Sequence, residues 1–282
     1  MSYSLTDINF RTVSDPKGFL EESDAIYDRK VATAAEKIAK ELGRRGVRTH
    51  YVAMDDYFNT VTPETVPRTP EGDMDLESPL CLDMELLNRH FTQLSQGRRI
   101  YVPKYEFSRR MRVQEGGKSI KLGKDEVVIF EGIHALNDMI TDSHPEAFKL
   151  YISARSDVMF EGHVVFKRTW FRLVRRMVRD YNFRGSDPLE TMCMWDNVRR
   201  GELANISPFK DKADYQFDTS FPYELCVMNE TATKLFQSVP EGIGRFEELR
   251  RVLPALQLFG VIDSSLVAED AMIREFIGFP ED

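Results

Sequence analysis

A run of four apolar residues, Val127 to Phe130, constrains the fold of this chain more than any other stretch. Its two valines and isoleucine favour a strand that is buried on both faces of a sheet. The run ends in Glu131-Gly132. Open α/β sheets bind ligands at the carboxyl ends of their strands, and a carboxylate there commonly holds Mg²⁺ against the phosphates of a nucleotide. For Glu131 alone, a solvated strand end is the simpler explanation.

A second carboxylate site follows the segment Val47 to Met54, which also reads as a strand and runs directly into Asp55-Asp56. A carboxylate in this position can accept the proton of a substrate hydroxyl. Aspartate is equally favoured as the N-cap of a helix. Two adjacent aspartates therefore predict that one caps the next turn and that the other faces the ligand cleft.

The helix predicted from Trp170 to Tyr181 carries arginines on one face and apolar residues on the other. The arginines are Arg172, Arg175, Arg176 and Arg179. A helix on a protein surface normally mixes charges of both signs, whereas four arginines in one stripe are typical of a phosphate clamp. The alternative is a basic face that pairs with carboxylates of this acidic protein.

Apolar strands alternate with amphipathic helices along the chain, which predicts a three-layer α/β fold with a mostly parallel sheet. The sheet would include Val47–Met54, Val127–Phe130 and a buried strand at Phe148–Ser153. We expect an N-terminal segment and helix over residues 1–46, with a strand at Ser4–Val13. The α/β domain would span residues 47–228, with the arginine helix at about 170–185. A C-terminal helical extension would span 229–282 and include a helix from Ser265 to Ile277. The segment Tyr223–Val227 is read as a last strand or the start of a helix.

The composition limits the partners of the protein. Its net charge of −8 over 282 residues argues against a protein that coats nucleic acid. No apolar run is long enough to span a membrane and no signal peptide is visible, so we expect a cytoplasmic protein without a membrane partner. The three cysteines (Cys81, Cys193 and Cys226) show no metal spacing and predict free thiols. The sequence does not determine the oligomeric state, and a homo-oligomer is one possibility.

Four segments in this order resemble the phosphoribulokinase/uridine kinase family, and in particular its bacterial uridine kinase-like members. The similarity runs from about Val47 to Phe221. The segments are Asp55-Asp56-Tyr57-Phe58, Pro103-Lys104-Tyr105-Glu106-Phe107, Glu131-Gly132-Ile133-His134, and the arginine helix with Arg179-Asp180 and Arg184-Gly185.

The resemblance implies ATP- and Mg²⁺-dependent phosphoryl transfer to the 5′-hydroxyl of a nucleoside, uridine or cytidine. Asp55 would be the base and Glu131 the carboxylate at the metal, with Arg176 and Arg179 as catalytic lid residues. The implied substrate-binding residues are Tyr57, Asp75, Tyr105, Phe107, Arg112 (or its neighbour Arg110) and Arg184. Arg172 and Arg175 would bind the nucleotide cofactor.

The chain departs from the family at the phosphate-binding loop. The family carries G-x-x-x-x-G-K-[ST] before the strand that leads to Asp55, and this sequence has no such motif. The segment Lys30 to Lys37 looks like a join between two helices of the family. The predicted fold therefore lacks the usual P-loop strand, and either the sheet has a gap beside Val127–Phe130 or Ser4–Val13 fills it. We expect weakened ATP binding and weak or absent activity, with a non-catalytic pseudokinase that binds a nucleoside or a protein partner as the alternative.

Overall fold

The computed structural model describes residues 35–106, 109, 111–221, 223–242, 246–269 and 271–278. Its strands are β1 (Arg48–Ala53), β2 (Ile100–Glu106), β3 (Met111–Ile120), β4 (Glu126–Glu131), β5 (Leu150–Ser153), β6 (Val158–Phe160), β7 (His163–Phe166) and β8 (Tyr215–Asp218). Its helices are α1 (Ala35–Arg44), α2 (Met84–Ser95), α3 (Asp138–Thr141), α4 (Arg168–Arg184), α5 (Pro188–Asn205), α6 (Glu224–Gln237), α7 (Phe246–Leu256) and α8 (Arg274–Ile277). Across these stretches, every helix is too short or too polar to cross a lipid bilayer.

The chain divides into two compact units. The first unit holds the described residues up to Tyr151 together with Asn197–Gln216, and the second holds Ile152–Asp196 with the described residues from Phe217 onward. The chain passes between the units within β5 and within β8, which pair with each other.

The first unit is built on a parallel pair of strands. β1 and β4 run in register, from Arg48 opposite Glu126 to Ala53 opposite Glu131. The predicted α/β fold with a parallel sheet and helices is thereby confirmed. The core beside this pair gathers Val52, Met54, Tyr57, Leu82, Leu87, Leu94, Ile100, Val102, Ile120 and Ile140.

Two strands are less buried than their sequences predict. No residue of β4 or β5 is fully buried, and Val127 in β4 and Ile152 in β5 are 37% and 36% exposed. The expectation of strands buried on both faces was therefore wrong. Among the described residues β4 pairs only with β1, and β5 only with β8. Within this part of the chain each strand thus has a neighbour on one side only, and such a strand receives less cover than one with neighbours on both sides. The predicted strand Ser4–Val13 lies outside the described residues.

β2 and β3 form a hairpin that the sequence does not single out. Residues from Met111 onward form its ten-residue second strand, β3. β3 pairs antiparallel with β2, and the register shifts between Val102 and Lys104. Such a bulge, in a strand rich in polar residues and glycine, hides the two-residue alternation by which strands are recognised.

α2 begins at Met84, directly after a residue that caps it. The Asp83 carboxylate accepts a hydrogen bond from the Leu86 N–H at 2.9 Å and so caps the helix, while Pro79–Cys81 form a 3₁₀ turn before it. A side-chain cap of this kind satisfies one of the N–H groups that the first turn leaves free.

The second unit packs its helices around α4, which contacts α6 and α8. The β6–β7 hairpin closes through Glu161-Gly162, both with positive φ, which the tightest hairpin turns require. The hairpin's Phe166 is fully buried and makes edge-to-face contacts with Trp170, Phe171 and Phe259. The open alternative at Tyr223–Val227 is a helix, α6.

The predicted C-terminal helix, Ser265 to Ile277, was wrong. The structure has a 3₁₀ turn at Ser264–Leu266 and only the single-turn helix α8. The buried side chain of Arg274 donates to the backbone carbonyls of Ser264, Val267, Ala268 and Gly278. Because the guanidinium satisfies these carbonyls, the segment has no need of a continuous helix to pair them.

Candidate functional site

Two of the predicted site carboxylates lie at the same edge of the parallel pair. Glu131 ends β4 opposite Ala53, and Asp55 follows Ala53 by two residues. Asp55 is half-buried in the 3₁₀ turn Met54–Tyr57 that continues β1. The strand ends approach closely, since a Cβ on Gly132 would lie 2.9 Å from the Cβ of Met54. Because the two strands run in parallel, Asp55 and Glu131 both lie at the C-terminal ends of β1 and β4.

The Glu131 side chain is exposed and held by one partner. The hydroxyl of Tyr51 donates a hydrogen bond to its Oε1 at 2.7 Å. Tyr51 is steadied in turn by Lys118, whose ammonium donates to the Tyr51 carbonyl and lies 5.6 Å from the centre of its ring. Glu131 is therefore oriented at the edge while its carboxylate still faces solvent.

The donor set suits Mg²⁺ bound through a single protein carboxylate. Mg²⁺ usually takes one or two carboxylates and completes its octahedron with waters and substrate phosphates. Glu131 fits that pattern. In the described part of the chain there is no group of three or more His, Cys, Asp or Glu side chains that could hold an ion without such help.

The prediction that one of the two adjacent aspartates caps the following turn is wrong. The residue at the cap position of the turn is Ala53, without a side-chain hydrogen bond, so neither aspartate caps it. Instead Asp56 is tied to β2: its Oδ1 accepts from the N–H of Tyr105 at 3.2 Å and lies 3.7 Å from the ammonium of Lys104. Asp56 anchors the turn to the hairpin, and Asp55 is left as the aspartate at the edge.

Two predicted substrate residues serve the interior of the first unit. Tyr57 is fully buried and its hydroxyl shares a 2.9 Å hydrogen bond with Nδ1 of His90, and burial raises the pKa of this phenol. Arg112 donates to the Asp83 carboxylate and to the Tyr57 carbonyl, both at 2.9 Å. These two side chains brace the turn that carries Asp55.

The aromatic residues after Pro103 are described in part. Tyr105 is buried, 6% exposed, with its ring centre 5.6 Å from that of Phe58. Phe107 and Arg110 lie outside the described residues.

Asp75 lies in the loop between β1 and α2 and pairs with an arginine that the sequence did not single out. Its Oδ1 and Oδ2 lie 2.9 and 3.4 Å from the guanidinium nitrogens of Arg200, near the end of α5. The N–H of Glu77 also donates to Oδ1, at 3.2 Å. Asp75 is only 8% exposed. No local pattern could have revealed this pair, because its members are 125 residues apart.

The arginine helix is α4, in the second unit, and it has the two faces that the sequence predicts. Leu173, Val174, Met177 and Val178 are completely buried, while the four stripe arginines are half-buried. One of them, Arg175, is engaged inside the unit: its Nε and Nη2 donate to the carboxylate of the fully buried Glu224 at 2.7 and 3.0 Å. Arg175 also donates to the hydroxyl and carbonyl of Thr219.

Three other arginines of α4 converge on one carboxylate. Asp180 is buried, and Arg176, Arg179 and Arg184 lie 3.2, 3.2 and 3.3 Å from its oxygens. The pairing of the arginines with the protein's own carboxylates, the alternative left open by the sequence, is therefore present. Asp180 is thus the shared partner of three guanidinium groups, which together form the Asp180 cluster. Arg172 is half-buried on the same stripe.

Curated relatives of the chain include several nucleoside kinases. The chain is 27% identical over 167 residues to the uridine kinase of Saccharomyces cerevisiae, which covers 59% of this chain and 30% of that protein. It is 29% identical over 161 residues to the uridine kinase of Serratia proteamaculans, covering 57% and 67%. With uridine-cytidine kinase 2-B of Danio rerio it shares 26% identity over 162 residues, covering 55% of each. The aligned region thus spans less than a third of the yeast protein and about half of the zebrafish one.

Among solved structures, a possible uridine kinase from Bacillus stearothermophilus superposes with a TM-score of 0.39 at 14% identity, over 72% of this chain and 83% of that one. A superposition this loose supports no inference. The match to a family model is far more extensive: the model of the Phosphoribulokinase / Uridine kinase family aligns with residues 31–222, well over half of the sequence. The chain belongs to the phosphoribulokinase/uridine kinase family.

Proposed function

We propose that this protein binds a nucleoside, uridine or cytidine, at the carboxyl edge of β1 and β4, and that it transfers a phosphoryl group from ATP to the 5′-hydroxyl slowly or not at all. The observation that carries the proposal is the in-register parallel pairing of the two strands, which brings Asp55 and Glu131 to one edge. Family membership supplies the class of reaction.

At this edge Asp55 would accept the proton of the nucleoside hydroxyl. Its half-buried position at the end of β1, braced by Tyr57 and Arg112, holds the carboxylate in a fixed place. Proteins catalyse phosphoryl transfer mainly by positioning the reactants and by stabilising charge, and a carboxylate held in place contributes to the first of these. Glu131, oriented by Tyr51, would bind Mg²⁺. When bound, ATP would supply the phosphoryl group and Mg²⁺ would neutralise its negative charge.

The Asp180 cluster supports a part in phosphate binding. Guanidinium groups bind phosphate oxygens in a two-point geometry, and the cluster brings three of them together around Asp180. We propose that Arg176, Arg179 and Arg184 are the phosphate-binding residues of this protein. Arg175 is assigned to the fold instead, because its guanidinium is already bound to Glu224 and Thr219.

The sequence motif for the phosphate-binding loop is missing, which favours weak activity. That loop supplies several backbone N–H donors and a lysine to the transferring phosphate. Loss of a single preorganised donor typically lowers the rate by roughly 10²–10³-fold. The same observation favours a second candidate function, a nucleoside-binding pseudokinase without turnover.

Thermal-shift measurements with uridine, ATP and a single-stranded oligonucleotide test the proposal. A ligand that binds the folded state raises the melting temperature in proportion to the logarithm of its concentration above Kd. We expect a clear shift with uridine, a smaller one with MgATP and none with the oligonucleotide. The variant Asp75→Asn should lose most of the uridine shift. A shift with the oligonucleotide alone would contradict the proposal.

A further inference from the structure

The last turn of the arginine helix α4 is exposed. Residues 181–184 all have exposed side chains, whereas the turn before them buries Met177 and Val178 completely. A terminal turn without buried side chains frays readily, because packing does not hold its backbone hydrogen bonds. Arg179 lies two residues before this turn and belongs to the Asp180 cluster. The placement of Arg179 therefore depends on what holds the end of α4.

The C-terminal turn (residues 273–278, which include α8) lies against this end of α4. The carbonyl of Phe276 accepts a hydrogen bond from the side-chain amide of Asn182 at 3.0 Å. The ring centre of Phe276 lies 5.3 Å from the guanidinium carbon of Arg175. A single residue of the C-terminal turn thus contacts α4 at two points.

The two contact points of Phe276 lie on either side of Arg179. Residues three and four positions apart are neighbours on the surface of an α-helix, so Arg175, Arg179 and Asn182 form one row. Arg179 occupies the middle of this row, with its side chain 24% exposed. Its Nε and Nη2 both donate to Oδ1 of Asp180 at 3.2 Å. Because Phe276 fixes both neighbours in the row, it restricts the orientations that are open to Arg179.

The ring of Phe276 contacts a guanidinium that is already fixed. Arg175 donates to Glu224 at two points and to the hydroxyl of Thr219. A cation over an aromatic ring is attracted to it, and this contact leaves the N–H groups of the guanidinium free for the ion pair. Phe276, Arg175 and Glu224 therefore link α8, α4 and α6 in one series of contacts.

The C-terminal turn is itself firmly placed. Ile273 is completely buried, and the side chain of Arg274, 5% exposed, donates to the carbonyls of Ser264 and Gly278, both at 3.0 Å. Gly278 has a φ of +79°, and a Cβ there would lie 3.2 Å from Cζ of Phe183 on α4. The turn is thus a preformed support that touches α4 closely.

We infer that Phe276 is a positioning residue for phosphate binding, which holds the row on α4 so that Arg179 is presented to a polyphosphate. The inference rests on the proposed function, since it takes Arg179 to bind phosphate. It gives a part in that binding to a segment that lies beyond residues 31–222, the region aligned with the family model.

Calorimetric titration of the full chain with tripolyphosphate and, separately, with uridine tests this inference. Phe276→Leu removes the ring and keeps most of the apolar volume, and Asn182→Ala removes the amide donor. Each should lower tripolyphosphate affinity by about 3- to 10-fold, the range for one lost hydrogen bond or cation–ring contact, and leave uridine affinity unchanged. Phe276→Tyr, which keeps the ring, should bind tripolyphosphate as the wild type does.

A double-mutant cycle separates positioning from a general loss of stability. If Phe276 acts through Arg179, then Phe276→Leu should cause no further loss of tripolyphosphate affinity when it is added to Arg179→Ala. Phe246→Leu is the matched control, because the Phe246 ring in α7 lies 5.6 Å from the guanidinium of Arg250 in a similar contact that involves no residue of α4. It should leave both affinities unchanged.

Asn182→Ala changes an exposed side chain and decides the matter alone if Phe276→Leu does not fold. Wild-type tripolyphosphate affinity in the folded variants, or equal losses with and without Arg179, would overturn the inference and leave the proposed function standing. A wild type that binds uridine but no tripolyphosphate would overturn the inference together with the phosphate-binding assignment. A wild type that binds neither ligand would overturn the proposed function as well.

Discussion

Arg175 forms a two-point ion pair with Glu224, a residue with no exposed surface, although the two lie 49 positions apart in the sequence. This pair ties α4 to α6 within the second unit. It separates Arg175 from its neighbours on the stripe, whose charges meet at Asp180. A helix face that looks uniform in sequence thus carries one arginine paired with Glu224 beside three arginines that meet at Asp180.

Replacing Arg175 with alanine should destabilise the protein strongly. It would leave Glu224 buried without its cation, and breaking a buried ion pair from one side costs about 3–5 kcal/mol. Urea denaturation followed by circular dichroism measures the loss. Arg184→Ala, at an exposed side chain, is the control and should cost about 1 kcal/mol or less. Equal stability of the two variants would show that the buried pair contributes little.

Replacing both Arg176 and Arg179 with alanine should weaken ATP or tripolyphosphate binding at least tenfold and leave a cooperative fold, with a lower melting temperature because the buried Asp180 then keeps only Arg184. The packing of α4 comes from its opposite face, including Leu173 and Met177, which the changes do not touch. Calorimetric titration gives the affinity, and a thermal melt gives the cooperativity. A double variant without a cooperative melt would make these arginines structural and the phosphate-binding assignment wrong.

The change Gly201→Ala should push α5 away from the 75–77 loop. The added methyl has no room beside Glu77, and overpacking of this kind typically costs about 1–3 kcal/mol. Uridine affinity should fall as well, because the change displaces Arg200 from its ion pair with the predicted substrate residue Asp75. The control is Gly43→Ala in α1, where no atom lies within 4 Å of the new Cβ and helix propensity favours alanine. Unchanged uridine binding in Gly201→Ala would contradict the coupling of helix and loop.

Part of this site could be predicted from the sequence. Apolar runs that end in acidic residues identified β1 and β4, and parallel pairing then required Asp55 and Glu131 to share an edge. Helical periodicity identified α4 and its two faces. These features are local, so the residues that define them are neighbours in the chain.

The partners of these residues could not be predicted, because they depend on tertiary contacts. Glu224 and Arg200 meet Arg175 and Asp75 only through the packing of distant elements. The resemblance implies Tyr57 as a substrate-binding residue but does not reveal that its ring is fully buried in the core. Burial of β4 was misjudged because an apolar run does not reveal how many neighbours a strand has.

Stability should fall as the pH drops from 6.5 to 4, in part through His134. Its folded pKa of about 4 lies below the ordinary histidine value of 6.5. The unfolded chain therefore binds this proton more readily in that interval, and protonation favours unfolding. A shift of this size corresponds to about 3 kcal/mol, fully lost below the folded pKa. Urea denaturation across this range should show a shallower dependence in His134→Leu than in the wild type. Parallel curves would remove His134 as a source of the effect.

The most direct measurement is phosphoryl transfer by the purified full chain, with uridine, Mg²⁺ and radiolabelled ATP. The account predicts a rate well below the usual kinase range of about 1–100 s⁻¹, or none, in a sample whose uridine binding is confirmed by calorimetry. Any residual rate should disappear in Asp55→Asn, which removes the base and leaves the edge of β1 intact. Turnover within the usual range, abolished by Asp55→Asn, would contradict the account, because the chain would then support full activity without the family's phosphate-binding motif.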